Sequence, residues 1–158
     1  MDFKQIGIVH SPFKKTVGTP IQPKAAKGID GTVEVFAEFA DGLADLDGFS
    51  HVILIFHFHL AQNYKLRVTP YMDDQKRGVF ATRAPSRPNP IGVSVVQLNR
   101  IEKNIIYVQD IDLIDGTPLL DIKPYVPEFD SEKGIKIGWL EKRVHRLPNT
   151  KDDGIFRK

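Results

Sequence analysis

The chain has 158 residues, a formal net charge of +2, 41% hydrophobic residues and no cysteine. That length suits one domain with one core, and the missing cysteines exclude disulfides, thiolate metal sites and a cysteine nucleophile. No apolar run approaches the roughly 18 residues of a membrane-spanning helix, and Met1-Asp2-Phe3-Lys4 lacks the apolar stretch of a signal peptide, so a cytoplasmic protein with no membrane attachment is expected.

In chain order, most segments are short and rich in Val, Ile and Phe. They predict strands at 6–9, 32–36, 52–58, 79–82, 93–98 and 105–113. Turn signals bound them at Asp30-Gly31, Asp47-Gly48, Lys103-Asn104 and Asp115-Gly116. Segments 37–46 and 132–137 have the length for a helical turn or two. Segment 105–113 alternates, with Ile106, Val108, Asp110 and Asp112 on one face and Ile105, Tyr107, Gln109, Ile111 and Leu113 on the other. It is expected to pair with 93–98 as a hairpin across 99–104. Many short strands with frequent turns predict a mainly β fold, a small antiparallel β-barrel with few short helices. No Gly-x-Gly-x-x-Gly opens a helix and no Gly-Lys-Ser/Thr loop occurs, so neither a dinucleotide crevice nor a phosphate loop is expected. Any cofactor would sit on barrel loops.

The expected organisation is a barrel domain over 1–140 and a basic C-terminal tail over 141–158. Residues 136–158 hold seven Lys or Arg against three acids, so the rest of the chain is mildly acidic. A basic tail on such a body is an electrostatic footprint for a polyanion such as RNA.

Residues 79–94 set Arg83 and Arg87 among Pro85, Pro88 and Pro90. Proline fixes its own φ and pushes the preceding residue toward extended backbone. A stiff loop loses little entropy on binding, and two guanidinium forks suit a carboxylate or phosphate. His51, His57 and His59 share strand parity, but without cysteine or well-placed carboxylates they read as pocket or core residues, and no metal is expected. Asp121, Lys123 and Tyr125 alternate with apolar residues, as in a site lining.

Four blocks in order, "IGIVHSPFK", "FADGLADLDGFSHVILIFHFH", "FATRAPSRPNPIGVSVVQL" and "DIDLIDGTPLLDIKPYVPEFD", resemble the TsaA/TrmO-like family over roughly residues 3 to 130. The resemblance implies a dimeric β-barrel methyltransferase that uses S-adenosylmethionine to methylate N6 of threonylcarbamoyladenosine beside the tRNA anticodon. It implies cofactor contacts at Pro20, Ile21 and Gln22, at His59 and Leu60, at Arg83 and Val93, and at the turn Asp115, Gly116, Thr117 and Pro118. The family carries arginine where this chain has Ile21, so a charged contact is missing there. By residue type, Asp121, Tyr125 and His57 are candidates to help the N6 proton leave, and Arg87 or Lys123 to hold the threonyl carboxylate. Two other readings use the same pocket: a methyltransferase for a small molecule, and a non-enzymatic S-adenosylmethionine-binding regulatory module.

Overall fold

The computed structural model describes residues 1–154 and Phe156. Its strands are β1 (Gly7–His10), β2 (Asp30–Val35), β3 (His51–His57), β4 (Arg67–Val68), β5 (Arg77–Gly78), β6 (Ile91–Glu102), β7 (Ile105–Gln109) and β8 (Thr117–Pro124). Six of them close a barrel in the order β1-β2-β7-β6-β3-β8, every neighbouring pair antiparallel. β4 and β5 form a separate two-stranded ribbon. The expectation of a mainly β, antiparallel barrel holds.

Period-2 alternation fills the barrel. Along β3, Val52, Leu54 and Phe56 are buried while Ile53 and Ile55 are half-buried on the outer face. β6 buries Ser94, Val96 and Leu98, and β7 buries Ile106 and Val108. The apolar residues among these share one core with Val9, Val33, Val35 and Leu119. Each fully buried branched side chain contributes about 1.5–3 kcal/mol relative to exposure.

Several boundaries differ from the sequence reading. Segment 79–82 is a single 3-10 turn over Val79–Ala81 rather than a strand. Thr82 donates both N–H and Oγ1 to the Val79 carbonyl, satisfying the turn locally. The strand expected to reach Leu113 stops at Gln109, because Asp110 adopts a left-handed backbone with φ 67°, which aspartate tolerates better than β-branched residues. The β6–β7 connection shrinks to Lys103-Asn104, with Lys103 at φ 56°. No helix forms at 132–137; among the described residues the one α-turn is Pro127–Asp130, α1, opened by a proline that suits a first helical position. Segment 37–46 forms a 3-10 helix over Ala37–Leu43. β3 ends at His57, so His59 falls in the turn that follows.

The C-terminal segment crosses the β4–β5 ribbon and the loop after it. Trp139 donates from Nε1 to the Ala81 carbonyl at 2.8 Å. Arg143 Nη2 reaches Asp73 Oδ1 at 3.1 Å, and Arg77 stacks over the Trp139 ring. Lys151 then bridges Pro20. Arg157 and Lys158 of the basic segment lie outside the described residues.

Candidate functional site

At one end of the barrel lies a cavity of about 460 Å³, within the size range of small-ligand sites. Three sequence regions wall it. The 16–22 loop supplies Thr16, Thr19, Pro20, Ile21 and Gln22; the end of β3 and its turn supply Phe56 to Ala61; the proline-rich loop supplies Arg83, Pro85, Arg87 and Asn89. Ser94, Asp112, Thr117 and Phe156 are also part of the lining.

The loop's chemistry follows from its hydrogen bonds. Arg83 donates from Nη1 to Gln22 Oε1 at 3.0 Å, tying the proline-rich loop to the 16–22 loop. Arg87 donates from Nη1 to the carbonyls of Thr82 at 3.1 Å and Ala84 at 3.3 Å. One guanidinium therefore bridges two loops while the other clasps its own loop.

Asp112 is the acidic group sequence reading passed over. It is 8% exposed, lines the cavity, and accepts from Ser94 Oγ at 2.8 Å. Burial pushes its carboxyl up to about 7, against the opposing pull of the Ser94 bond and the Arg83 charge. Its inward placement follows from the left-handed Asp110, after which Ile111, Asp112 and Leu113 are all buried. Ile111 N–H bonds back to the Ile29 carbonyl, and Gly28 N–H to Asp110 Oδ1 at 2.7 Å, fixing this turn. The sequence carried one signal: Asp112 stands in phase with core-facing Ile106 and Val108.

The C-terminal segment also contributes wall, through Asp152, Gly154 and Phe156. Asp152 exchanges backbone bonds with Gly18 at 2.7 Å and Thr19 at 2.8 Å. Phe156 packs edge-on against Tyr71, their centroids 5.0 Å apart. Burial, then the charge and hydrogen bond of Asp152, raises the Tyr71 hydroxyl far above the ordinary phenol range. No local sequence pattern joins these residues to the site; chain topology brings them there.

Of the residues singled out from sequence, Pro20, Ile21, Gln22, His57, His59, Leu60, Arg83, Arg87, Val93 and Thr117 line the cavity. Asp115, Gly116 and Pro118 do not. Asp115 faces the other way, accepting from Lys14 Nζ at 2.6 Å and from Ser11 N–H at 3.0 Å. Those two contacts hold its carboxyl below the usual range. Gly116 takes φ 82°, a conformation glycine adopts without steric cost, and bonds to the Val9 carbonyl. Asp121 and Lys123 pair with each other at 2.8 Å on β8, away from the cavity. Tyr125 lines a wider adjoining groove of about 1200 Å³, which shares Ile21, Gln22, Arg83, Val93 and Ser94 with the cavity. Among the described residues no cluster of three metal-ligating side chains forms, and no helix is long and apolar enough to cross a membrane.

Closed antiparallel barrel, rim cavity and charged loop together define a small-ligand-binding β-barrel. Residues 8–131 match the model of the tRNA-methyltransferase O N-terminal domain, and the chain belongs to that family. It is 60% identical over 154 residues to a probable S-adenosyl-L-methionine-binding protein of Pyrococcus abyssi, covering 98% of this chain and 84% of that one. It is 40% identical over 139 residues to the tRNA (adenine(37)-N6)-methyltransferase of Escherichia coli, covering 82% of this chain and 59% of that one. A crystal structure of TrmO superposes with a TM-score of 0.76 at 42% identity, over 87% of this chain and 63% of the other. A Pseudomonas aeruginosa TrmO structure superposes at 0.74 and 40% identity. The chain thus spans about three-fifths of the Escherichia coli relative and of the two solved structures.

Proposed function

We propose that this protein is an S-adenosylmethionine-dependent tRNA methyltransferase that modifies N6 of threonylcarbamoyladenosine beside the anticodon. The observation that carries this reading is the convergence of Gln22, Arg83, Val93 and Thr117, from distant parts of the chain, on one cavity of cofactor size. The family resemblance assigns these same positions to the cofactor. The cavity's chemistry fits: a guanidinium for the methionyl carboxylate, an amide for an adenine edge, and apolar Leu60, Phe58 and Val93 for the purine face. Thr16 lines it too, and its buried Oγ1 finds no partner among the described residues.

Bound S-adenosylmethionine supplies an activated methyl on a sulfonium. The chain's own task is to align the substrate nitrogen, exclude water and help its proton leave. Of the three base candidates, His57 alone lines the cavity; we assign it that role. Arg87 also lines the cavity, and only its Nη1 is engaged by the loop, so its other nitrogens serve the threonyl carboxylate in this reading. The side of the adjoining groove that carries Lys24, Lys27 and Trp139 is the route for the anticodon loop, since cations and aromatics suit single-stranded RNA.

The test is methyl transfer to total tRNA from a strain lacking this modification, read by nucleoside mass spectrometry. Appearance of methylated threonylcarbamoyladenosine supports the reading. Cofactor binding without transfer to that tRNA favours the regulatory module, a reading kept alive by relatives named only for cofactor binding.

A further inference from the structure

Two opposite charges on the cavity wall are not paired with each other. Arg83 spends Nη1 on neutral Gln22, and Asp112 accepts from neutral Ser94. They lie close enough for the guanidinium to bias the carboxyl, yet no ion pair joins them among the described residues. The buried Asp112 carboxylate, answered only by a neutral hydroxyl, is costly to ionise unless a ligand cation answers it, while the Arg83 guanidinium stands exposed on the same wall. A ligand that answers both carries an anion and a cation a few bonds apart. The methionyl end of S-adenosylmethionine has that form, with a carboxylate beside an ammonium and a sulfonium.

We infer that the Asp112 carboxylate, held by Ser94, is the counter-charge for the positively charged methionyl end of the cofactor, working opposite Arg83, which takes its carboxylate. This rests on the cofactor reading above. The other charged or titratable groups around the cavity are His57, His59, Tyr71, Arg87 and Asp152. Tyr71 and Asp152 bond to each other, Arg87 clasps its loop, and the two histidines stand at the β3 end. Asp112 is the acid that sits nine-tenths buried on the same wall as Arg83, with no cation bonded to it among the described residues. Burial leaves its carboxyl near pH 7. A cation that binds there favours the ionised form, so binding below pH 7 releases a proton.

The test is calorimetry with three ligands on the wild-type chain and on Asp112→Asn, which keeps the side-chain shape and can still accept from Ser94. S-adenosylmethionine carries both cations, S-adenosylhomocysteine only the ammonium, and methylthioadenosine neither. Asp112→Asn is expected to weaken the first by about tenfold or more, the scale of a lost charge-assisted bond, and to leave methylthioadenosine within about twofold. Equal loss of S-adenosylhomocysteine assigns the ammonium; loss confined to S-adenosylmethionine assigns the sulfonium. Equal loss of all three ligands, or loss of none, overturns the inference. Should the variant not fold, the wild type decides: binding at pH 6 in buffers of different ionisation heat is expected to release protons with S-adenosylmethionine and not with methylthioadenosine. Equal release with both overturns it. A wild-type chain that binds none of the three ligands overturns the cofactor reading itself.

Discussion

Arg83 and Gln22 stand 61 positions apart and meet through a single hydrogen bond of 3.0 Å between Nη1 and Oε1. That bond couples the two loops of the cavity rim, so each side chain orients the other before a ligand arrives. Replacing Arg83 by alanine removes a cationic anchor and one of the ties on the 16–22 loop. Cofactor affinity is expected to fall roughly ten- to a hundredfold, about 1.5–3 kcal/mol for a hydrogen bond to a charged group. Gln22→Ala keeps the charge and is expected to lose less. Titration calorimetry on both variants checks the order; a Gln22→Ala defect larger than that of Arg83→Ala would overturn it.

Arg87 gives a different expectation, because its Nη1 already serves the Thr82 and Ala84 carbonyls. Arg87→Ala removes both bonds, each worth about 0.5–1.5 kcal/mol net. Thermal stability should drop, and cofactor affinity should fall only a few-fold through a looser loop. Lysine at this position lacks the planar fork and cannot span both carbonyls in the same way, so Arg87→Lys is expected to recover little stability. Full recovery by lysine in a melting experiment would show that charge, not the clasp, is what the position supplies.

How much of this was legible beforehand depends on the range of the signal. The barrel strands were readable because Val52, Leu54 and Phe56 alternate with half-buried neighbours, a local pattern with a period of two. The loop of Arg83 and Arg87 was readable because proline stiffness is a property of single residues. The end of β7 was not, since one aspartate in a left-handed conformation breaks an alternation that the sequence continues to Leu113. The cavity wall from Tyr71, Asp152 and Phe156 was not readable either. Those residues meet through packing and backbone bonds between distant segments, and nothing in their own neighbourhoods announces it.

The C-terminal segment is tied down by Asp73, which accepts from Arg77 Nε at 2.6 Å and meets Arg143 Nη2 at 3.1 Å. Desolvation opposes ionisation here, but the Arg77 bond, the N–H groups of Asp74 and Gln75 and the Arg143 charge prevail, and the carboxyl drops from 3.8 to about 2. A lowered folded-state value contributes stability above the unfolded value, lost as pH falls through the folded one. The contribution is thus whole above about pH 4 and gone below about pH 2. Asp73→Asn should remove that acid dependence and raise hydrogen exchange across residues 138–149 at neutral pH. Unchanged exchange there would dissociate the latch from the order of the segment.

Gly92 lies in β6 with the Phe56 and Phe58 rings across it. A Cβ there would fall onto Cε2 and Cζ of Phe56, and Phe58 closes the other side. Those rings pack edge to face at 5.1 Å and line the cavity floor. Gly92→Ala is expected to destabilise the barrel by about 1–3 kcal/mol, the usual scale of overpacking, and to weaken cofactor binding by shifting Phe58. Denaturant melts and calorimetry on one sample test both arms; a stable variant with wild-type affinity would mean the rings can move aside freely.

The outer face of β3 and β6 bears on assembly. Ile53, Ile55 and Val95 are half-buried there, and Ile91 and Val93 are 38% and 44% exposed. In a sheet with one face in the core, the other is expected to alternate to polar side chains; here Ile53, Ile55, Ile91, Val93 and Val95 keep the middle of that face apolar, between the His51↔Gln97 pair at one end and His57 at the other. Such a patch beside a ligand cavity suits a protein partner, and a second copy of the chain is the partner the family resemblance implies. A homodimer is therefore expected at micromolar concentration by sedimentation. Ile53→Glu places a charge in the middle of the patch, with its core neighbours Val52 and Leu54 pointing the other way. It should yield a folded monomer with the barrel's circular dichroism intact. If the wild type sediments as a monomer, or the variant stays dimeric, this face is not the contact between copies.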